Sequence, residues 1–386
     1  MYCTKKITSD LIWLGGSDRR LALFENVYPI PRGVSYNAYL IQDEKTALLD
    51  TVDQAIAERF FENLEHALQG KPLNYVIVNH MEPDHSAGIA EFSAAYPDAV
   101  IVGNDKTFTM IKNFYGGDFI KNSLPVKNGD TLSLGKHELN FVFAPMVHWP
   151  EVMMTYDAKD KVFFSADAFG KFGALDADED WACEARRYYF GIVGKYGGPV
   201  QTLLKKAAGL DIAVICPLHG PVLSENLGYY LNLYDIWSSY GVESEGVCIA
   251  YTSVYGNTKK AVEYLAEQLK ADGCAKVAVN DLARCDMAEA VEDAFRYGKL
   301  VLATTTYNGS IFPFMRDFID HLTERGYQKR TVAFIENGSW APTAARNMAK
   351  MFENSKDIEQ VGTVTIRSAM TDENKAQLDA LAKELA

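Results

Sequence analysis

Paired cysteines are absent from this chain, histidines are few and basic residues are outnumbered, and each shortage removes a class of function. The six cysteines among 386 residues, Cys3, Cys183, Cys216, Cys248, Cys274 and Cys285, form no Cys-x-x-Cys pair. Neither a zinc ribbon nor an iron–sulfur or rubredoxin-type centre can be built from that spacing. Without an export signal they are expected to be reduced, mostly buried thiols. Lys and Arg number 38 against 51 Asp and Glu, a net charge of -13, so no basic face is available to neutralise phosphates and nucleic acid is not expected as a partner. No apolar run approaches the ~18 residues of a membrane span, and the opening Met1 to Asp10 lacks an apolar core followed by a small-residue cleavage site. A cytoplasmic protein with no membrane contact is the expectation. What remains is ordinary globular composition, 48% hydrophobic and 23% charged, at a length suited to two or three domains.

With seven histidines in the chain, their placement can be followed one by one. The run Leu73 to Val78 has the character of a buried strand and leads into Asn79-His80-Met81-Glu82-Pro83-Asp84-His85, which delivers two imidazoles and two carboxylates into one loop. His148 stands just past the apolar Val142 to Val147, Asp167 ends Lys161 to Ala166, and His219 follows Ile212 to Leu218. Imidazole with carboxylate and no thiolate suits iron, zinc or manganese better than copper(I) or an iron–sulfur cluster. Four imidazoles and three carboxylates suffice for two metals with Asp167 as a bridge, whereas a single zinc needs three or four ligands. The blander alternative is a polar turn of solvated charges before a helix.

In chain order, strand-like segments around Leu11–Leu14, Ser35–Ile41 and Thr46–Thr51 precede a helix from Asp53 to Gly70, in which Ile56, Phe60, Leu64 and Leu68 recur at helical spacing. A strand at Val100–Val102, a helix from Asp105 and a hairpin near Gly135-Lys136 come next, which predicts a mixed αββα sandwich with its loops at one sheet edge. From Asp178 to Ala208 the pattern is helical but interrupted by Gly191, Gly194, Gly197 and Gly198.

The polar connection Gly241 to Gly246 marks a change of period. Strand and helix then alternate five times, with strands at Val247–Tyr251, Lys276–Asn280, Lys299–Ala303, Arg330–Ile335 and Gly362–Ile366. That alternation predicts a doubly wound parallel sheet with its ligand beyond the carboxyl ends of the strands. The first such end is Thr252-Ser253-Val254-Tyr255-Gly256-Asn257-Thr258, a hydroxyl-rich turn at a helix amino terminus that can cradle a phosphate without arginine. It resembles the flavodoxin phosphate loop. The third strand ends in Thr304-Thr305-Thr306-Tyr307-Asn308-Gly309, similar to the second flavodoxin loop, although Thr305 stands where that pattern often has proline. The fourth ends in Asn337-Gly338-Ser339-Trp340-Ala341, where Trp340 could flank a planar ring. Three such loops point to bound FMN.

Together, His80-x-Glu82-x-Asp84-His85, His148, Asp167 and Pro217-Leu218-His219-Gly220, with the flavodoxin-like half after them, resemble flavodiiron proteins (A-type flavoproteins). The resemblance covers nearly the whole chain: a metallo-β-lactamase-like domain over residues 1–245 and a flavodoxin-like FMN-binding domain over 246–386. Typical hydrolases of the first fold have histidine where Glu82 stands, and the exchange favours iron over zinc. The resemblance implies reduction of dioxygen to water, of nitric oxide to nitrous oxide, or both. It assigns His80, Glu82 and His148 to one iron, Asp84, His85 and His219 to the other, with Asp167 between; in some relatives the equivalent of His85 turns away from the metal. It further implies Tyr196 in the active-site wall and a head-to-tail homodimer or a dimer of dimers. The donor it implies is a separate rubredoxin or, alternatively, a reduced deazaflavin, since no rubredoxin is fused to these residues. Some relatives also carry a histidine near the metals in the region of Arg20 to Tyr28, and this chain has none. A zinc-dependent hydrolase with an accessory flavodoxin domain and a non-catalytic electron carrier are the competing readings.

Overall fold

The computed structural model describes residues 2–116 and 119–386. It divides into two compact units, Met1–Asp235 and Ile236–Ala386. The division falls inside the helix Leu227–Ser238, ahead of the polar stretch where the sequence period changes. The last turn of that helix already belongs to the second unit: the Trp237 indole donates to Glu243 at 2.6 Å, and Arg330 donates to the Tyr240 and Gly241 carbonyls.

The first unit is built on two sheets. One has seven strands, in the spatial order Lys5–Lys6, Leu11–Trp13, Tyr39–Gln42, Thr46–Leu49, Tyr75–Ile77, Val100–Gly103 and Ser123–Pro125. The other has five, Thr131–Ser133, Glu138–Phe143, Met153–Asp157, Val162–Phe164 and Val214–Cys216. Inward-facing side chains of both sheets, among them Tyr39, Ile41, Leu49, Ile77, Phe141, Met153, Phe164 and Cys216, form one apolar core, as a sheet-on-sheet layer requires. The expected first helix is shorter than its sequence pattern. Asp53 caps a 3-10 turn, Gln54–Ile56, by accepting from the Ala55 amide, and the α-helix proper runs Ala57–Leu68 with Phe60, Leu64 and Leu68 buried. The glycine-broken stretch resolves into a helix Trp181–Tyr188, a π turn Tyr189–Val193, a 3-10 turn Gly194–Tyr196 and a helix Gly197–Ala207. Gly197 and Gly198 thus open a helix rather than break one. A π turn inside a helical run is a recurrent feature of functional sites.

The second unit holds a parallel sheet in the order Val277–Asp281, Ser244–Tyr251, Tyr297–Tyr307, Arg330–Asn337, Ile358–Ile366. The order reverses between Ser244–Tyr251 and Tyr297–Tyr307, which places the switch point at the loops after those strands. The third strand is longer than its apolar core suggests because Thr304 and Thr305 keep pairing with Glu336 and Asn337. The six cysteines are free thiols. Among the described residues no helix is long and apolar enough to cross a membrane.

Candidate metal centre and flavin cradle

The loop after strand Tyr75–Ile77 is fixed before any metal is considered. Asp50, buried at the end of the neighbouring strand, accepts from the Asn79 amide at 2.7 Å, the Asn79 side chain at 2.7 Å and the His80 amide at 3.1 Å. Burial raises the Asp50 carboxyl to about 6 against those bonds. The Asn79 side chain in turn accepts from Thr155 of the second sheet at 2.8 Å. Thr51 donates twice to the His85 carbonyl. Pro83 opens a single helical turn, Pro83–Ser86, which carries Asp84 and His85 in the position where proline is best tolerated. Neither Asp50 nor Thr51 stands out in the sequence, because their partners lie on other strands.

All seven expected ligands converge, and all are buried. Nε2 of His148 lies 3.0 Å from Glu82 Oε2 and 2.9 Å from Asp167 Oδ2, and Nε2 of His80 lies 3.3 Å from each of those oxygens. Nε2 of His85 lies 3.3 Å from Asp84 Oδ2 and 3.2 Å from Asp167 Oδ1, and Nε2 of His219 lies 3.3 Å and 3.8 Å from the same pair. The two imidazole nitrogens of each group face each other, at 3.2 Å for His80 and His148 and at 3.0 Å for His85 and His219. Ligand atoms bound to one ion at roughly 2.0–2.2 Å lie about 3 Å or slightly more apart, which is the spacing seen. Asp167 turns one oxygen to each group. No hydrogen bond reaches either Asp84 oxygen or Asp167 Oδ1, although all three are buried. Buried acceptors are seldom left so, and the donor set therefore fits two cations bridged by Asp167. His85 faces its group and does not turn away.

The electrostatics agree. Burial works against the charged forms, yet the imidazoles push the Glu82 and Asp167 carboxyls below their ordinary range. Against burial again, Asp167 and Glu82 lift His148 to about 9. Ligation requires neutral imidazole and ionised carboxylate, so metal binding at these groups would be coupled to proton release.

The wall is aromatic. Phe24 and Tyr188 each place a ring 5.4 Å from the His219 ring, Tyr36 lies 5.7 Å from it, and Trp149 lies 5.4 Å from His80. Phe24 is carried by a hairpin of Leu23–Phe24 and Tyr28–Pro29, whose turn has Glu25 and Asn26 at positive φ. The hairpin is tied down by Tyr28 donating to the Gly191 carbonyl at 2.6 Å. Partial desolvation and the neighbouring Glu82 raise the Glu25 carboxyl above its ordinary value, so the segment lacking the relatives' histidine presents an acid instead. The expected Tyr196 is half-buried beneath the Lys195 ammonium, 5.3 Å from the ring centre; among the described contacts it meets none of the seven, whereas Tyr36 and Tyr188 both do.

In the second unit a cavity of about 490 Å³ opens at the switch point. It is lined by Ser253, Val254, Tyr255, Asn257 and Thr258 from the first loop, Thr305 to Gly309 from the second and Asn337 to Ala341 from the third. Thr252 and Thr304 sit behind it, buried and bonded to each other at 2.6 Å. Gly256, at φ 88, lets the chain turn into the helix Asn257–Ala271, a conformation costly for any residue with a Cβ. Its amide and that of Lys259 donate to Ser253 Oγ at 3.1 and 3.3 Å. The helix amino terminus thus faces the cavity, as an anionic phosphate requires. Ser368, not foreseen from sequence, adds a fourth loop: its hydroxyl lies 2.5 Å from that of Ser339. No lining residue is charged, and the rings of Tyr255 and Trp340 are 93% and 88% exposed. A neutral slot with planar side chains at its mouth and hydroxyls at its base fits a flavin mononucleotide.

Comparison with known proteins agrees with both halves. Residues 34–220 match the family model described as ODP family beta lactamase, and residues 248–373 match a flavodoxin domain. The anaerobic nitric oxide reductase flavorubredoxin of Salmonella arizonae is 30% identical over 363 residues, spanning 90% of this chain and 75% of that protein. The chain belongs to the flavodiiron protein family. Among solved structures, a flavoprotein of Thermotoga maritima aligns with a TM-score of 0.90 at 26% identity, over 100% of this chain and 99% of that one. The rubredoxin oxygen:oxidoreductase of Desulfovibrio gigas shares the fold with a TM-score of 0.91 at 24% identity, over 99% and 98%. As a flavodiiron oxidoreductase the chain takes FMN in its flavodoxin-like unit and a pair of irons in its metallo-β-lactamase-like unit.

Proposed function

We propose that this flavodiiron protein reduces dioxygen to water, nitric oxide to nitrous oxide, or both. His80, Glu82 and His148 would hold one iron, Asp84, His85 and His219 the other, and Asp167 would bridge them. The observation that carries the reading is the matched pair of donor sets, two imidazoles and one carboxylate each, sharing the two oxygens of Asp167. When bound, FMN would supply electrons received from a donor, and the iron pair would supply the redox chemistry that reduces a diatomic molecule. The chain's own part is positional. Asp167 fixes the spacing, while Phe24, Tyr36 and Tyr188 pack against the His219 imidazole and Trp149 against that of His80. The flavin would be held by Ser253, Thr258 and the backbone of the first loop at its phosphate, and by Tyr307, Asn308 and Trp340 near its ring. The nitric oxide reductase name belongs to the Salmonella relative and supports that half of the reading; the same donor set serves oxygen equally. A glutamate at position 82 in place of histidine, together with a complete flavin cradle, tells against the zinc hydrolase.

A rubredoxin as electron donor, or else a reduced deazaflavin, fits this reading, as does a head-to-tail dimer acting in the cytoplasm. Metal and flavin quantification should give about two irons and one FMN per chain. Parallel oxygen and nitric oxide consumption under one donor then decides the substrate. Stoichiometric zinc in protein prepared with ample iron, or turnover by flavin-free protein, would sink the proposal.

A further inference from the structure

The two metal positions have the same inner donors but different outer partners. Each is faced by two imidazoles, one carboxylate and one oxygen of Asp167. Behind His80 stands Glu151, whose Oε1 accepts from His80 Nδ1 at 2.8 Å and from the Met81 amide at 2.9 Å. Glu151 is 1% exposed, its other oxygen has no hydrogen-bond partner, and its backbone carbonyl is held by the Asn104 side chain at 2.6 Å. In the second group, His219 Nδ1 donates to a neutral carbonyl, that of Ser35, at 2.7 Å, and His85 Nδ1 has no partner.

We infer that Glu151 makes the two irons electronically unequal, so that the iron at His80 holds the ferric state at lower potential and is the first of the pair to give up an electron. A carboxylate behind a ligating imidazole fixes its tautomer and raises its donation to the metal, and a full charge does so more than a carbonyl dipole. Burial sharpens the difference, since the field of an unscreened carboxylate falls off slowly in a low-dielectric interior. With inner donors matched, nothing among the ligands offsets it. Glu151 is thus a positioning residue, acting through His80.

This rests on the ligand assignment proposed above, and the two fail differently: a parent protein without two irons refutes the assignment, whereas the variants below bear on Glu151 alone. The test is Glu151→Gln in the iron- and flavin-loaded protein, read by Mössbauer spectroscopy of 57Fe-loaded samples, by potentiometric titration of the mixed-valence signal and by iron release to a chelator. The amide keeps an acceptor for His80 and removes the charge. We expect one quadrupole doublet to shift with the other unchanged, the lower of the two diiron potentials to rise, and iron at one position to be held about ten- to hundred-fold less tightly, with FMN content unaltered. Glu151→Asp, which retains the charge on a shorter arm, should restore part of the potential. Unchanged doublets and potentials, or equal movement of both irons, overturn the inference. Should Glu151→Gln fail to retain iron, Asn104→Ala takes its place: loosening the Glu151 backbone should disturb the same single doublet, and no effect on either overturns the inference as well.

Discussion

In the first unit seven titratable side chains are shut away from water around two cation-sized centres, whereas in the second no residue lining the cavity is charged and two aromatic rings stand almost wholly exposed. The metal cluster gathers its members from four separate loops, at residues 80–85, 148, 167 and 219, and the loops at 80–85 and 219 are anchored by the buried partners Asp50, Thr51 and Ser35. The flavin cradle takes its walls from the ends of strands that are neighbours in one parallel sheet, and several of its hydroxyls bond to one another or to nearby amides. The difference teaches how the bound group dictates construction. Buried carboxylates and imidazoles are costly to desolvate and must meet at ligand spacing, so they are held from behind. A neutral slot carries no such cost and can stay open.

That contrast can be broken most severely at Asp167, which both metal groups share. Asp167→Ala should abolish oxygen and nitric oxide turnover and uncouple the irons while the flavin absorbance stays intact; full activity in that variant would show that the carboxylate is only structural. His148→Ala should act on one side of the bridge. It removes an imidazole that only water could replace, so iron content should fall while FMN remains bound, and any residual oxygen consumption should yield more peroxide. Oxygen reduced to water at the parental rate would place the active centre in the flavodoxin-like unit instead.

The cradle should respond by smaller steps, because its work is divided among many weak contacts. Ser253→Ala removes an acceptor for the Gly256 and Lys259 amides, a capping loss of about 1 kcal/mol. FMN binding should weaken about fivefold with iron per chain unchanged, as flavin fluorescence titration and iron assay would show; loss of iron would mean that the two sites do not stand apart.

The smallest effect is expected from an ionic cluster away from both sites. His137 is buried with Nδ1 2.8 Å from Asp157 and Nε2 3.4 Å from Asp10. Burial and the nearby Lys159 disfavour its charge, but the two carboxylates prevail and raise its pKa above 6.5. A raised folded value contributes stability that is complete below the unfolded value near 6.5 and fades as pH climbs through the folded one. His137→Gln should therefore lower the thermal midpoint more at pH 6 than at pH 9. An equal drop at both would mean that His137 contributes packing and no charge.

Much of the metal site was legible because ligation demands particular residue types. Few side chains offer imidazole or carboxylate, strand ends are recognisable from apolar runs, and so His80, Glu82, Asp84, His85, His148, Asp167 and His219 stand out in the chain. The flavin loops were legible for a related reason, since a parallel sheet places its ligand beyond the carboxyl ends of its strands. Sequence pattern said nothing of Asp50 or Glu151, which look like surface acids until their partners on other strands are known. Nor could it identify the tyrosines against His219, which are Tyr36 and Tyr188. Tyr188 and Tyr196 differ by eight positions in a run of helical character, and the π and 3-10 turns between them, which set where each ring points, have no composition of their own. By itself the sequence determined which donors exist and in what order they leave the strands, because local hydrophobic period and residue chemistry are written in neighbouring positions. Only the tertiary structure decided which carboxylate backs which imidazole, because burial and hydrogen bonding between residues such as Glu151 and His80, 71 positions apart, arise when the sheets pack.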